Sequence, residues 1–190
     1  MNAELQGYLT AIEKVKADAR ALAAGLSEEQ ANRRPAPDKW SIAECLSHLT
    51  ISVAVTLPAF DRAITTGREK GRTAAGPFRY GWFSRWMIAA MEPPPKRRTR
   101  TFKILVPPPP GGQRLTELLA GFMEGLDQLA KRVRQADGLD LGRSRVVSPV
   151  SSLLRLPIGA YFAFVMAHER RHLWQAWRVR EGLVDLAPAS

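Results

Sequence analysis

Cysteine occurs once in the 190 residues, at Cys45. An intramolecular disulfide framework is therefore excluded, and a reducing compartment fits. Histidine occurs three times, at His48, His168 and His172. The polar, amphipathic first twenty residues lack the basic start and apolar core of a secretory signal. No run is expected to approach the 18 or more apolar residues of a membrane span, and a cytoplasmic address follows as the expectation. Convincing strand alternation and internal repeats are also missing. Acidic residues are scarce in one place: residues 62–103 hold eleven Lys and Arg against two acids, which supplies +9 of the chain's +10. A general nucleic-acid binder spreads its basic residues over a whole face, so this concentration argues against one.

What is present is helical. The apolar share of 45% and charged share of 24% are those of an ordinary globular chain. Leu5, Ile12, Val15, Ala19 and Leu22 step at helical intervals, predicting a first helix over 3–25 with Gly25 as its cap. Ser27 opens one further turn. Ser41 followed by Glu44 is a capping box, and Ile42, Leu46, Leu49, Val53 and Leu57 continue from it. Pro58 is expected to bend or end this second helix, which otherwise reaches Ile64 before Gly67. Phe122, Leu126, Leu129 and Val133 mark a third helix over about 116–135. Residues 138–156 read as loop. A fourth helix runs from Pro157 to about Arg180, with Gly182 as its stop. The class is all-α, a four-helix bundle with one long crossover, in a single domain over 1–190. Glycines and prolines make 67–112 an insertion within it. Inside that insertion Tyr80–Met91 predicts a short aromatic helix, and Thr101–Val106 an extended segment.

His168 and His172 stand four apart on the fourth helix, so their imidazoles share a face. One helix can thereby offer two ligands to one metal ion. His48 lies two turns into the second helix, from which a bundle can bring it opposite the pair. Three imidazoles would leave coordination positions open, as catalytic sites do. The segment from His168 to His172 also fits HExxH, the zinc metalloprotease pattern. Such enzymes take a third ligand usually further along the chain, and the 18 residues after His172 hold no histidine. The protease reading is set aside.

Trp40-Ser41-Ile42-Ala43-Glu44-Cys45-Leu46-Ser47-His48-Leu49 resembles the W-S-x-x-E-x-L-x-H-L motif of the DinB-like family. His168-Glu169-Arg170-Arg171-His172-Leu173-Trp174-Gln175 resembles its H-x-x-x-H-x-x-Q. Their order and separation agree with the family. The resemblance implies an up-down-down-up bundle and a divalent ion, nickel or zinc, on His48, His168 and His172. It implies a metal-dependent enzyme, either a thiol S-transferase or a hydrolase. Relatives use low-molecular-weight thiols such as bacillithiol or mycothiol as co-substrates, and homodimers are common. The alternative is a non-catalytic metal-binding or stress-associated interaction protein.

Other residues carry paired readings. Glu44 either accepts a hydrogen bond from an imidazole or completes the capping box. Glu169 is either a proton acceptor for a thiol or water, or a solvated carboxylate beside Arg170 or Arg171. Gln175 either contacts substrate or packs between helices. Cys45 is read as a packing residue in preference to a ligand or nucleophile. Tyr161, Phe164, Trp174 and Trp177 are read as core, with Phe164 near enough to His168 to wall a pocket, and Trp40 as an anchor between helices. The insertion sets Arg79, Arg85, Lys96, Arg97, Arg98 and Arg100 near Trp82, Phe83 and Trp86. It is a lid for an anionic small-molecule substrate, a dimer contact, a membrane-surface helix, a nucleic-acid contact, or a solvated loop.

Overall fold

A computed structural model describes residues 1–95 and 100–184 of the chain. The expected basic residues Lys96, Arg97 and Arg98 lie outside that set. Four long helices dominate: α1 (Ala3–Ala23), α3 (Ile42–Glu69), α5 (Leu115–Gln135) and α6 (Ile158–Val184). Shorter helices are α2 (Glu28–Asn32) and α4 (Trp82–Met91), with a 3-10 turn η1 at Lys103–Leu105. α1 and α3 each pack against both α5 and α6, which closes the four into a ring. Among the described residues the fold is all-α apart from a two-stranded hairpin and an isolated bridge between Thr73 and Leu139.

Local chemistry places the helix starts. Asn2 Oδ1 accepts from Leu5 N at 2.9 Å and caps α1. Gly25 follows α1 with φ +74°, the left-handed conformation that glycine adopts without steric cost. Ser27 and Gln30 form a capping box on α2, and Ser41 and Glu44 form one on α3. α5 has no side-chain cap of its own. Its Leu115 N instead donates to Glu28 Oε2 at 2.6 Å, so α2 satisfies an otherwise orphaned donor of α5. Polar ties at the seams are specific. Trp177 Nε1 donates to Asp18 Oδ1 at 2.8 Å, and Arg132 grips Asp61 with two bonds of 3.0 Å.

Several expectations need correction. Pro58 neither ends α3 nor stops it at Ile64; the helix continues to Glu69. Losing one intrahelical hydrogen bond is outweighed by the buried face that Val53, Ala59, Phe60, Ala63 and Ile64 carry across the proline. Gly67 is not a stop but a close approach: a Cβ there would lie 2.7 Å from Ser144 Oγ. α3 also reaches the length and mean hydropathy of a membrane span over one 18-residue window, against the reading that no run comes near it. Two-thirds of that window is buried within the protein, as suits the central helix of a bundle. Gly182 likewise sits inside α6, which extends to Val184.

Within 138–156, read as loop, β1 (Arg145–Val147) begins a hairpin with β2 (Arg155–Pro157). The strands are antiparallel, with Val146 opposite Leu156, both buried. Three residues per strand are too few for alternation to register in a sequence. Thr101–Val106, expected to be extended, contains the η1 turn, with Leu105 N donating to Phe102 O at 2.8 Å. Trp174, expected in the core, is 37% exposed.

The crossover is pinned where it begins. Tyr80 Oη donates to Glu4 Oε1 at 2.5 Å, and Tyr8 Oη lies 2.6 Å from the same oxygen and 2.9 Å from Gly159 O. This cluster packs directly on Gly159, where a Cβ would fall 1.8 Å from Tyr80 Oη. Gly159→Ala should therefore displace Tyr80 and cost about 1–2 kcal/mol, despite the better helix propensity of alanine. Gly121→Ala on α5, whose Cβ meets Thr50 Cγ2 at 3.7 Å, should instead gain up to about 1 kcal/mol. Urea unfolding of the two variants checks the opposite signs.

Candidate metal centre

α3 and α6 pack against each other, and this contact brings the three histidines together. One ring nitrogen from each lies within 4.8 Å of the other two. The ring centroids are 5.1 Å apart for His48 and His168, 4.3 Å for His48 and His172, and 4.6 Å for His168 and His172. His48 is buried, while His168 and His172 are partly exposed, so the cluster opens to solvent on the α6 side.

The outer nitrogens of two rings are held from behind. His48 Nδ1 lies 2.7 Å from the carbonyl oxygen of Leu105. A carbonyl accepts and never donates, so Nδ1 carries the proton and Nε2 keeps its lone pair. His172 Nδ1 donates in the same way to Gln175 Oε1 at 3.2 Å, which leaves its Nε2 as an acceptor. His48 Nε2 and His168 Nε2 stand 3.2 Å apart, with Ser52 Oγ 3.4 Å from the former. Two lone pairs at that distance repel unless a proton or a cation lies between them. Nitrogens about 2.0–2.1 Å from one tetrahedral ion would be roughly 3.3 Å apart. The donor set thus fits a borderline divalent ion such as zinc or nickel.

Electrostatics favour the neutral rings. Burial pushes His48 down to about 4, helped by His168 and opposed by the Leu105 carbonyl. Burial also lowers His168 to about 4, with Arg171 adding to the effect. His172 is held well below its ordinary value by burial and by its two histidine neighbours. At neutral pH the three imidazoles are therefore uncharged.

The other candidate residues take definite places. The Trp40 ring lies 4.9 Å from that of His48 and 5.8 Å from that of His172, so it walls the cluster. Gln175 is half-buried, and its Oε1 accepts from His172 Nδ1. Phe164 is half-buried one turn before His168, and its ring pairs with Tyr161 at 6.0 Å. Cys45 is fully buried in the core, where burial pushes its thiol up, which suits packing and not a reactive thiolate. Glu169 is not solvated. It is fully buried, its Oε1 lies 3.7 Å from His168 Nδ1, and neither of its oxygens has a hydrogen-bond partner. Its carboxyl is raised by that burial, and it stands on the Nδ1 side of the ring, away from the converging nitrogens.

Glu44 completes the capping box and does not reach an imidazole. Its Oε2 accepts from Ser41 N at 2.9 Å and from Arg34 Nε at 2.8 Å, and Arg34 Nη2 holds Oε1. The box fixes the start of α3 and hence the rotation of the helix that presents His48. Burial would raise the Glu44 carboxyl, but Arg34 and Ser41 outweigh it and hold the group below its ordinary value. A depressed carboxyl stabilises the fold above its unfolded pKa, about 4.3, and loses that contribution as pH falls through the folded value. The stability gap between wild type and Glu44→Gln should be flat near neutrality and shrink below about pH 4.3. Denaturant titrations across that range measure it; a gap that widened in acid would contradict the pairing.

Sequence reasoning missed two contributors. The Leu105 acceptor is a backbone atom of the crossover, which any residue type would supply. Ser52 stands one turn beyond His48, and that spacing was the one available clue. The crossover also touches the cluster's other helix. Arg170 pairs with Glu92 beyond the end of α4, and Arg171 Nη1 donates to Ala90 O at 3.3 Å. The crossover therefore meets α3 through Leu105 and α6 through Ala90 and Glu92.

No curated protein and no solved structure matches the chain. The profile of the DinB superfamily matches residues 11–176, a span that takes in all three histidines, the whole of α3 and α5, and most of α1 and α6. With that match over most of its length, the chain belongs to the DinB superfamily.

Proposed function

We propose that the protein is a metal-dependent enzyme that holds one divalent ion, nickel or zinc, through His48, His168 and His172. The observation that carries this is the convergence of three imidazoles, two of which have their outer nitrogens already committed and so turn acceptor lone pairs toward the cluster. A bound ion would supply Lewis acidity, making a thiol or water a nucleophile at neutral pH. The chain's own residues hold and orient. Leu105 O and Gln175 fix two imidazole orientations, while Trp40 shields one side of the cluster. Glu169 is assigned to proton handling behind His168. On the family resemblance, the reaction is transfer of a low-molecular-weight thiol to an electrophile, or hydrolysis. The substrate is a small molecule, anionic where the basic crossover meets it. The bundle takes the up-down-down-up order with 67–112 inserted in it, and the working state is a cytoplasmic homodimer.

Tag-free protein should contain stoichiometric metal, or gain thermal stability when nickel or zinc is added. His168→Ala should abolish both effects. Gln175→Ala should lower metal affinity about 10–100-fold while leaving the fold intact. Calorimetric titration reads both variants; unchanged occupancy in His168→Ala would sink the triad assignment. The exposed aromatic face of α4 favours the second reading, a non-catalytic metal-binding interaction protein. A screen of thiol and ester substrates separates the two, since turnover lost in His168→Ala requires the enzyme.

A further inference from the structure

The site leaves the outer surface of the crossover unexplained. On α4, Ser84 is buried and Met87 packs on the core. The opposite side carries Trp82 (73% exposed), Trp86 (60% exposed) and Phe83, together with exposed Ala89 and Ala90. Phe102, Ile104 and Val106, around η1, are exposed as well. Six large apolar side chains thus stand in solvent within one stretch of chain, whereas scattered single ones are the norm for a globular surface. Arg79, Arg85, Arg100 and Lys103 are exposed among them. Glu92 is the one acid in residues 70–103, and it is engaged by Arg170.

We infer that the exposed face of α4, where Trp82, Phe83 and Trp86 adjoin one another, forms a docking surface for an anionic phospholipid bilayer. Charge complementarity selects this occupant. A second copy meeting the first across this face would set arginine against arginine with no free acid between them. An anionic lipid surface instead offers both a negative headgroup layer for the arginines and an apolar boundary for the rings. Tryptophan, with its amphipathic ring, suits that boundary. The Trp82 and Phe83 rings stand edge to face at 81°, so the aromatics do not present a run of parallel faces for the successive bases of a nucleic acid. The inference does not depend on metal binding.

The test uses the full chain and sedimentation with vesicles of phosphatidylcholine alone, or of phosphatidylcholine and phosphatidylglycerol in equal parts. Binding should be at least about tenfold stronger on the anionic vesicles, fall with added salt, and shift tryptophan emission to the blue. The double variant Trp82→Ser/Trp86→Ser should keep the wild-type melting temperature and lose about tenfold or more of the binding. Arg79→Gln and Arg85→Gln should each cost roughly fivefold. No binding to anionic vesicles, equal binding to neutral ones, or undiminished binding by the double tryptophan variant would overturn the inference. So would a wild-type dimer that the double tryptophan variant breaks, which gives the face to a second copy. A single-stranded oligonucleotide that binds more tightly than the vesicles would overturn it too.

Discussion

The hydrogen bond from His48 Nδ1 to the Leu105 carbonyl joins the two halves of this protein that differ most in character. His48 belongs to α3, the most buried of the long helices, and Leu105 to a proline-rich crossover between α3 and α5. The bond fixes the tautomer of His48 and so decides which nitrogen faces His168. It also gives the crossover a fixed seat beside the cluster. A shift of η1 would free the ring to rotate and would dissolve the convergence of the imidazoles. The capping box and Arg34 perform the complementary task from the other end of the same helix turn, setting how α3 is rotated when it reaches His48.

Much of the bundle was legible because its helices announce their ends in side chains. Ser27 and Ser41 cap two helices, and the apolar stripes of α1 and α5 recur at helical spacing. The metal cluster was legible for a similar reason, since a helical turn converts the spacing of His168 and His172 into a shared face. The failures share a physical origin. Pro58 and Gly67 are poor helix residues by local propensity, yet tertiary burial carries α3 through both. The hairpin of Arg145–Val147 and Arg155–Pro157 exists because two buried side chains face each other across it. No local pattern of three residues could have signalled that pairing. Gln175 was visible in the motif, but its role depends on a hydrogen bond one turn back along the helix.

Charge and chemistry are segregated along the chain. The bundle segments are close to neutral, and their charged pairs, such as Arg132 with Asp61, tie one helix to another. The crossover holds nearly all the excess positive charge and most of the exposed aromatic surface. Its inner side supplies Leu105 O and the contacts to Arg170 and Arg171, whereas its outer side is left to solvent or to a partner. A single segment thus connects the environment outside the protein to the histidines within.

That Leu105 contributes a main-chain oxygen has a consequence for how the protein can change. A side-chain acceptor is lost by one substitution, but a peptide carbonyl survives every substitution that keeps the local backbone path. The residues of η1 and its neighbours can therefore drift in size, polarity and charge while the imidazole behind them stays held. Variation at the rim is decoupled from integrity at the centre, which lets such a scaffold acquire new surface chemistry without rebuilding its inner cluster.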